Sequence, residues 1–255
     1  MRLVTWNVNS VRARLERVLE WTRANQPDVL ALQEIKVEDR DFPTAAFTDL
    51  GYQVAVWGQR TYNGVALLAR APLEDVRRGL DGGSGDEPAR LLAATAFGMR
   101  IYCVYAPNGE APGTEKFVFK LGWMARLAEQ LAPVARPDAP VAVCGDFNVA
   151  PADIDVYDAE ATREQIHVST PERASLARIV GVGLVDCFRL MHPTTVAYTF
   201  WDYRMLAFPK NRGYRIDHIL VTPPLAARVR ESHIDREARK GKQASDHAPL
   251  VVDLA

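Results

Sequence analysis

Apolar residues fall along this chain in short runs separated by polar turns, and the pattern carries two periods. RLVTWNV (2–8), VLALQ (29–33), YQVAVW (52–57), GVALLA (64–69), LLAATAF (91–97), IYCVYA (101–106), PVAVCGDF (140–147), RIDHILV (215–221) and PLVVDLA (249–255) have the length and residue types of strands. Three other stretches repeat at helical spacing. Val11, Leu15, Val18, Leu19 and Thr22 share one stripe, with Ser10 as the expected N-cap and Pro27-Asp28 as the stop. Phe117, Leu121, Met124, Ala128 and Leu131 mark a helix over 115–132. PERASLARIVGVG (171–183) has proline near its start and glycine past its end, the order that suits a helix. Strand hairpins mixed with helices predict an α/β protein with mixed sheets rather than a simple doubly wound one.

No linker-like tract divides the pattern, so a single domain over 1–255 is expected. DGGSGDEPAR (81–90) is the most flexible candidate, yet strand-like runs flank it. No apolar run approaches the roughly 20 residues that span a bilayer. The opening MRLVTWNVNS is too short in its apolar part, and too polar, for a signal segment. A cytoplasmic protein without a membrane partner is the expectation, with monomer as the default state. Cys103, Cys144 and Cys187 are odd in number, widely spaced and free of CxxC, which argues for buried free thiols rather than disulfides or zinc.

The net charge of −1 excludes a globally basic chain. Its distribution is uneven: from residue 201 onward ten Lys/Arg face seven Asp/Glu. A mildly basic last quarter fits a polyanion-facing surface, although solvated faces carry such an excess too.

The chemistry sits where apolar runs stop. LVTWN ends at Asn7, VLALQE at Glu34, and YCVYAPN passes Tyr105 to Asn108. VAVCGDFN delivers Asp146 and Asn148, YRIDHIL carries Asp217, and SDH delivers Asp246 and His247. Taken singly, Asn7 and Asn148 read equally well as turn residues, Glu34 as a helix-entry residue and Tyr105 as packing. Asp217 differs, because a carboxylate flanked by Ile216 and HIL must be largely buried and then needs a partner. Together these groups form a set of oxygen donors with one imidazole. Such oxygens suit a hard divalent cation such as Mg²⁺ or Mn²⁺, and a histidine beside them suits acid–base work on a phosphodiester.

TWNVNSVRAR, DVLALQEIKV, YNGVALLAR, VYAPNGE, CGDFNVAP, GLVDCFR, YTFWDYR, NRGYRIDHIL and SDHAPL occur in the order found in the exonuclease III family of abasic-site endonucleases. That family lies within the endonuclease/exonuclease/phosphatase superfamily. The resemblance covers essentially the whole chain. GDFN and SDH are shared across the superfamily, whereas YTFWDYR and NRGYRID are specific to the abasic branch.

The resemblance implies a four-layer α/β/β/α sandwich, with two mixed β-sheets face to face. It also implies roles. Glu34 resembles the principal Mg²⁺ ligand, with Asn7 and Asp246 close to the metal. Asp217 resembles the partner of His247, while Asp146 and Asn148 resemble the groups that activate and orient the attacking water. Tyr105 would touch the scissile phosphate or assist the leaving oxygen. Phe200, Tyr214 and Ile216 match the apolar pocket that receives a flipped-out abasic sugar, with Trp201 of the same motif as a further substrate contact. Arg90 and Asn108 match phosphate-contacting positions, and Lys116 and Arg212 are candidate backbone contacts. Arg204 and Lys210 join them as candidate backbone contacts.

The implied activity is Mg²⁺-dependent cleavage of double-stranded DNA 5′ to abasic sites, with 3′→5′ exonuclease and 3′-phosphodiesterase side activities. Two alternatives stand beside it: a phosphoesterase of small molecules or lipids, and a non-catalytic nucleic-acid-binding regulator on the same fold. YTFWDYR argues against the first and the intact set of polar residues against the second.

Overall fold

The computed structural model describes residues 1–81 and 87–255, so most of the 81–90 stretch singled out for flexibility, residues 82–86, lies outside the described residues. The strands are β1 (Arg2–Asn7), β2 (Val29–Gln33), β3 (Gln53–Trp57), β4 (Val65–Ala69), β5 (Glu74–Arg78), β6 (Leu91–Ala96), β7 (Met99–Tyr105), β8 (Val141–Asp146), β9 (Val185–Asp186), β10 (Asp217–Val221), β11 (Val229–Ile234) and β12 (Leu250–Leu254). The helices are α1 (Leu15–Asn25), α2 (Thr44–Thr48), α3 (Glu115–Leu131), α4 (Thr170–Val180), α5 (Cys187–Met191) and α6 (Pro223–Ala226). Among the described residues no helix is long and apolar enough to cross a membrane.

Two six-stranded sheets result, in the orders β11-β12-β1-β2-β4-β3 and β5-β6-β7-β8-β10-β9. Both are mixed: β1 runs parallel to β2 and antiparallel to β12, and β8 runs parallel to β7 and antiparallel to β10. Alternation along the strands sends one set of side chains between the sheets. Leu3, Ala31, Val65, Leu67 and Val252 of the first sheet meet Leu92, Ile101, Cys103, Ala142, Cys144 and Ile219 of the second. The opposite faces bury under helices. Trp6, Leu30 and Leu68 pack with Val18, Leu19 and Trp21 of α1. Tyr102, Val104 and Val143 pack with Met124 and Leu127 of α3 and Leu176 and Ile179 of α4. This is the expected four-layer α/β/β/α sandwich, and all three cysteines are buried free thiols within it.

Besides the two-residue β9, two strands have no counterpart in the apolar pattern. β5 (EDVRR) is exposed at every position, and β11 (VRESHI) is half polar with an irregular register near Val229. Both are sheet edges, where pairing needs no buried face and charged residues block further pairing. The first helix also begins later than expected, at Leu15, with Arg14 rather than Ser10 as its N-cap. Asn9 and Ser10 adopt positive φ, and the Ser10 N–H donates to the Glu34 carbonyl at 2.7 Å. That bond draws 9–14 toward the end of β2 and delays the helix.

Candidate active site

The mixed topology brings chemistry to one edge. The C-terminal ends of β1, β2, β7 and β8 open on the same side as the N-terminal ends of β10 and β12. Within the second sheet, Tyr105 and Asp217 are both register partners of Asp146. Across the two sheets, Asn7 Nδ2 donates to Asp146 Oδ2 at 2.9 Å and to Glu34 Oε1 at 2.8 Å.

His247 completes the group. Its carbonyl accepts from Trp6 Nε1 at 3.1 Å and its N–H donates to Ser245 Oγ, which itself donates to the Asn7 carbonyl at 2.7 Å. So fixed, His247 Nδ1 lies 2.8 Å from Asp217 Oδ2, and Nε2 lies 3.8 Å from Asp146 Oδ2. A carboxylate at Nδ1 leaves Nε2 turned toward the Asp146 side of the site. Burial pushes His247 down, but Asp217 and Asp146 outweigh it and raise its pKa to about 10, so it is an imidazolium at neutral pH.

The carboxylates crowd one another. Burial, then Asp217, against the pull of His247, lift Asp146 to about 7. Burial also pushes Glu34 up, but Lys36 at 2.7 Å and the Asn7 amide overcome it and leave Glu34 below its ordinary value. Asp217 is fully buried, and its Oδ1 has no hydrogen-bond partner. Donor atoms of Glu34, Asp146 and His247 all fall within 4.8 Å of one another. Of these, the carboxylate oxygens of Glu34 and Asp146 are the donors that fit a hard divalent cation. Glu34 and Lys36 both hold positive φ just beyond β2 (51° and 55°), a backbone cost that serves to aim these side chains.

Not every expected ligand joins that group. Asp246 points elsewhere: its Oδ1 accepts from Asn9 Nδ2 at 3.1 Å, and Asn9 Oδ1 accepts from Lys36 Nζ at 2.5 Å. Asn9 and Lys36 therefore link Asp246 to Glu34, a connection the sequence reading missed. Asn148 is placed by its own N–H, which donates to Asp146 Oδ1 at 2.8 Å, and by Nδ2, which donates to the Ala106 carbonyl at 3.0 Å. Tyr105 packs its ring under the Arg90 guanidinium at 4.7 Å. Burial and the neighbouring Glu34 raise its pKa well above normal, so the phenol keeps its proton.

Arg90, Asn108 and Lys116 line one cavity of about 640 Å³ together with Glu34 and Tyr105. Lys116 is exposed and pairs with Glu110 at 3.0 Å. Arg204, Lys210 and Arg212 are exposed charges farther along the chain. On the other side of His247, the Phe200 ring stands 4.9 Å from the imidazole, and Phe200 and Tyr214 pack over Ile216.

The structure corrects two expected substrate contacts. Trp201 is 1% exposed and packs into a separate cluster with Tyr198 and Phe208, its Nε1 donating to Asn211. Neighbouring residues of an extended segment face opposite ways, so Phe200 reaches the site and Trp201 the core. Ile216 is also 1% exposed and backs the Phe200–Tyr214 wall rather than its surface.

Two further features escaped the sequence reading. His167 lies buried beside that wall, its ring centre 6.3 Å from Phe200 and 5.9 Å from Tyr214. Its Nδ1 donates to the Asn148 carbonyl at 2.8 Å, and burial, then Lys120, lower its pKa to about 3, so it is neutral. Met205 and Leu206 are 77% and 65% exposed at positive φ, a few residues beyond Phe200. The apolar pair that follows Arg204 in YTFWDYRMLAF was the available signal.

A four-layer sandwich whose facing strand ends gather carboxylates around an imidazolium defines the endonuclease/exonuclease/phosphatase class, and the model of that family matches residues 4–247; the chain belongs to it. More particularly, it is 36% identical, over the whole of both chains, to exodeoxyribonuclease III of Haemophilus influenzae. Among solved structures it resembles a 3′ phosphatase from Neisseria bound to a product DNA hairpin (41% identity, TM-score 0.98). It also resembles an AP endonuclease from Archaeoglobus fulgidus (38% identity, TM-score 0.96). Each match covers 100% of this chain and 99% of the other.

Proposed function

We propose that this chain is a Mg²⁺-dependent DNA repair nuclease that hydrolyses the phosphodiester 5′ to abasic sites in double-stranded DNA and also acts at 3′ ends. Mn²⁺ would substitute, and the protein would work in the cytoplasm as a monomer. The observation that carries the reading is the Glu34–Asp146–His247 group at the open strand edge, with Asp217 behind the imidazole. Glu34 and Asp146 would hold the cation, with Asn7 orienting both and Asp246 acting through Asn9 and Lys36. When bound, the cation supplies positive charge to the phosphate oxygens. His247 presents Nε2–H to the same oxygens, where negative charge grows during hydrolysis. Asp146 and Asn148 position the attacking water, and Tyr105, kept protonated, donates toward the leaving oxygen. The Phe200–Tyr214 wall receives the sugar beside the scissile bond, and Met205 and Leu206 suit apolar contact with a base stack. Arg90, Asn108, Lys116 and Arg212 would contact the DNA.

A narrower reading confines the enzyme to 3′ ends. The observation that favours it is the buried His167 ring, 6.3 Å from Phe200 and 5.9 Å from Tyr214, whose bulk would narrow the room beside that wall for a flipped-out sugar. One assay separates the two. Three labelled duplexes would be incubated with Mg²⁺ and with EDTA: one with a single abasic-site analogue, one intact, and one ending in a 3′-phosphate. A Mg²⁺-dependent cut 5′ to the lesion supports the first reading. Removal of the 3′-phosphate without internal cutting supports the second. No reaction on any of them, with folded protein, rejects both.

A further inference from the structure

Lys120 and Glu172 form an ion pair in which neither side chain has exposed surface. Lys120 lies on the buried stripe of α3, one turn from Phe117 and from Met124, where an apolar residue is the default. All three ammonium donors are used: on the Asn148 carbonyl at 2.7 Å, on the Asn108 carbonyl at 3.0 Å, and on Glu172 Oε1. Glu172 is equally committed. Its Oε1 also accepts the His167 N–H at 3.1 Å, and its Oε2 accepts Ser169 Oγ at 2.6 Å. A single nitrogen therefore ties the loop after β7 to the loop after β8. Gly109, at φ 92°, permits the approach, since a Cβ there would lie 2.9 Å from Lys120 Cδ.

The tie continues into the site. Asn148 sits in the left-handed region (φ 54°), and its N–H donates to Asp146 Oδ1 at 2.8 Å. Its carbonyl receives His167 Nδ1 as well as Lys120. Net stability does not account for the arrangement, because apolar side chains of similar volume often replace a buried ion pair at no loss. A pair that only capped two loop carbonyls would matter to folding and not to turnover.

Resting on the hydrolytic reading above, we propose that Lys120, held by Glu172, is a positioning residue: it locks the Asn108 and Asn148 loops together and, through the Asn148 N–H, aims the Asp146 carboxylate. The test is the neutral pair Lys120→Met/Glu172→Gln, assayed with Mg²⁺ on the duplex substrates and followed by amide hydrogen exchange. In the folded variant, kcat should fall roughly 10–100-fold while KM stays within about threefold, as for a reacting group displaced by a fraction of an ångström. Exchange at the Asn148 amide should quicken while β-sheet amides remain protected. A folded variant with wild-type kcat, or one changed only in KM, overturns the proposal. Should the double variant not fold, Lys120→Arg keeps the charge but spreads its donors over a planar fork that cannot meet all three acceptors. Lowered kcat in Lys120→Arg supports the pin and wild-type kcat overturns it. Exchange at Asn148 needs no substrate, so inactivity of the wild-type chain on DNA would defeat the functional reading alone. Unchanged exchange in the variant would defeat the pin.

Discussion

Two clusters of buried charge share the segment Arg215–His218, and they are built on opposite principles. Behind the sheet, Arg215 Nε donates to Asp155 Oδ1 at 2.6 Å and Nη1 to Asp186 Oδ2 at 2.7 Å, while Arg189 donates to Asp155 at 2.5 Å. His218 is kept neutral there by burial and by Arg215, bonded to the Val149 carbonyl at 2.9 Å. Two guanidinium groups thus answer two carboxylates. At the open edge four carboxylates, Glu34, Asp146, Asp217 and Asp246, are answered by three cations, His247, Lys36 and the Arg90 guanidinium that shares the cavity with Glu34. Hydrogen-bond satisfaction does not separate the clusters, since Arg215 Nη2 and Arg189 Nε lack partners just as Asp217 Oδ1 does. Charge balance does. The network behind the sheet closes its own charge, whereas the proposed active site keeps a negative surplus, as a site for a cation and a phosphate would need.

The contrast can be broken in several ways. His247→Ala should lower kcat by about 10²–10⁴, the usual scale for a lost acid–base group, in steady-state assays with Mg²⁺. A near-normal rate would take the imidazole out of the chemistry. Arg215→Met should instead cost about 3–5 kcal/mol in urea denaturation by stranding Asp186 and leaving Asp155 with Arg189 alone, with kcat per folded molecule nearly unchanged. Lost turnover with intact stability would erase the distinction. His167 is a third kind of buried group, neutral rather than paired. Its pKa of about 3 lies below its ordinary 6.5, so the unfolded chain takes up the proton first as pH falls. Its contribution is present above pH 6.5 and is lost as pH falls toward about 3. His167→Phe should flatten the stability profile across that window, and an unchanged slope would show that the ring is not buried as described. The smallest effect belongs to the rim: Lys116→Ala should reduce the salt slope of DNA binding by about one while sparing kcat, and an unaltered slope would remove Lys116 from the DNA surface.

Much of this was legible in the chain before folding. A polar residue that ends an apolar run is anomalous on packing grounds, and Asn7, Glu34, Asp146 and Asp217 each stand out that way. Asp217 was the strongest, because an aspartate inside an apolar strand must find a partner, and His247 is that partner. Edge strands β5 and β11 were hidden because their pairing asks for no apolar face. Lys120 and Glu172 were hidden because a charged residue on a helix reads as solvated, and only the spacing from Phe117 to Met124 hints otherwise. Trp201 was misassigned because a motif gives order along the chain and not the side to which each residue turns. His167 lies in QIHVST, where no strand end marks it; its significance depends on a contact with Asn148 that topology alone creates.

The surplus charge at the open edge is the central claim, and paired isosteric substitutions test it directly. Asp146→Asn and Asp186→Asn would be unfolded by urea in EDTA at about pH 8, where a carboxylate whose pKa is raised to about 7 is ionised. Asp146→Asn removes one of several crowded negative charges and should be more stable than wild type. Asp186→Asn removes half of a balanced pair and should be less stable. Opposite signs are the expected result. Destabilisation of both by similar amounts would mean that the two clusters are balanced alike, and that the open edge holds no surplus for a cation.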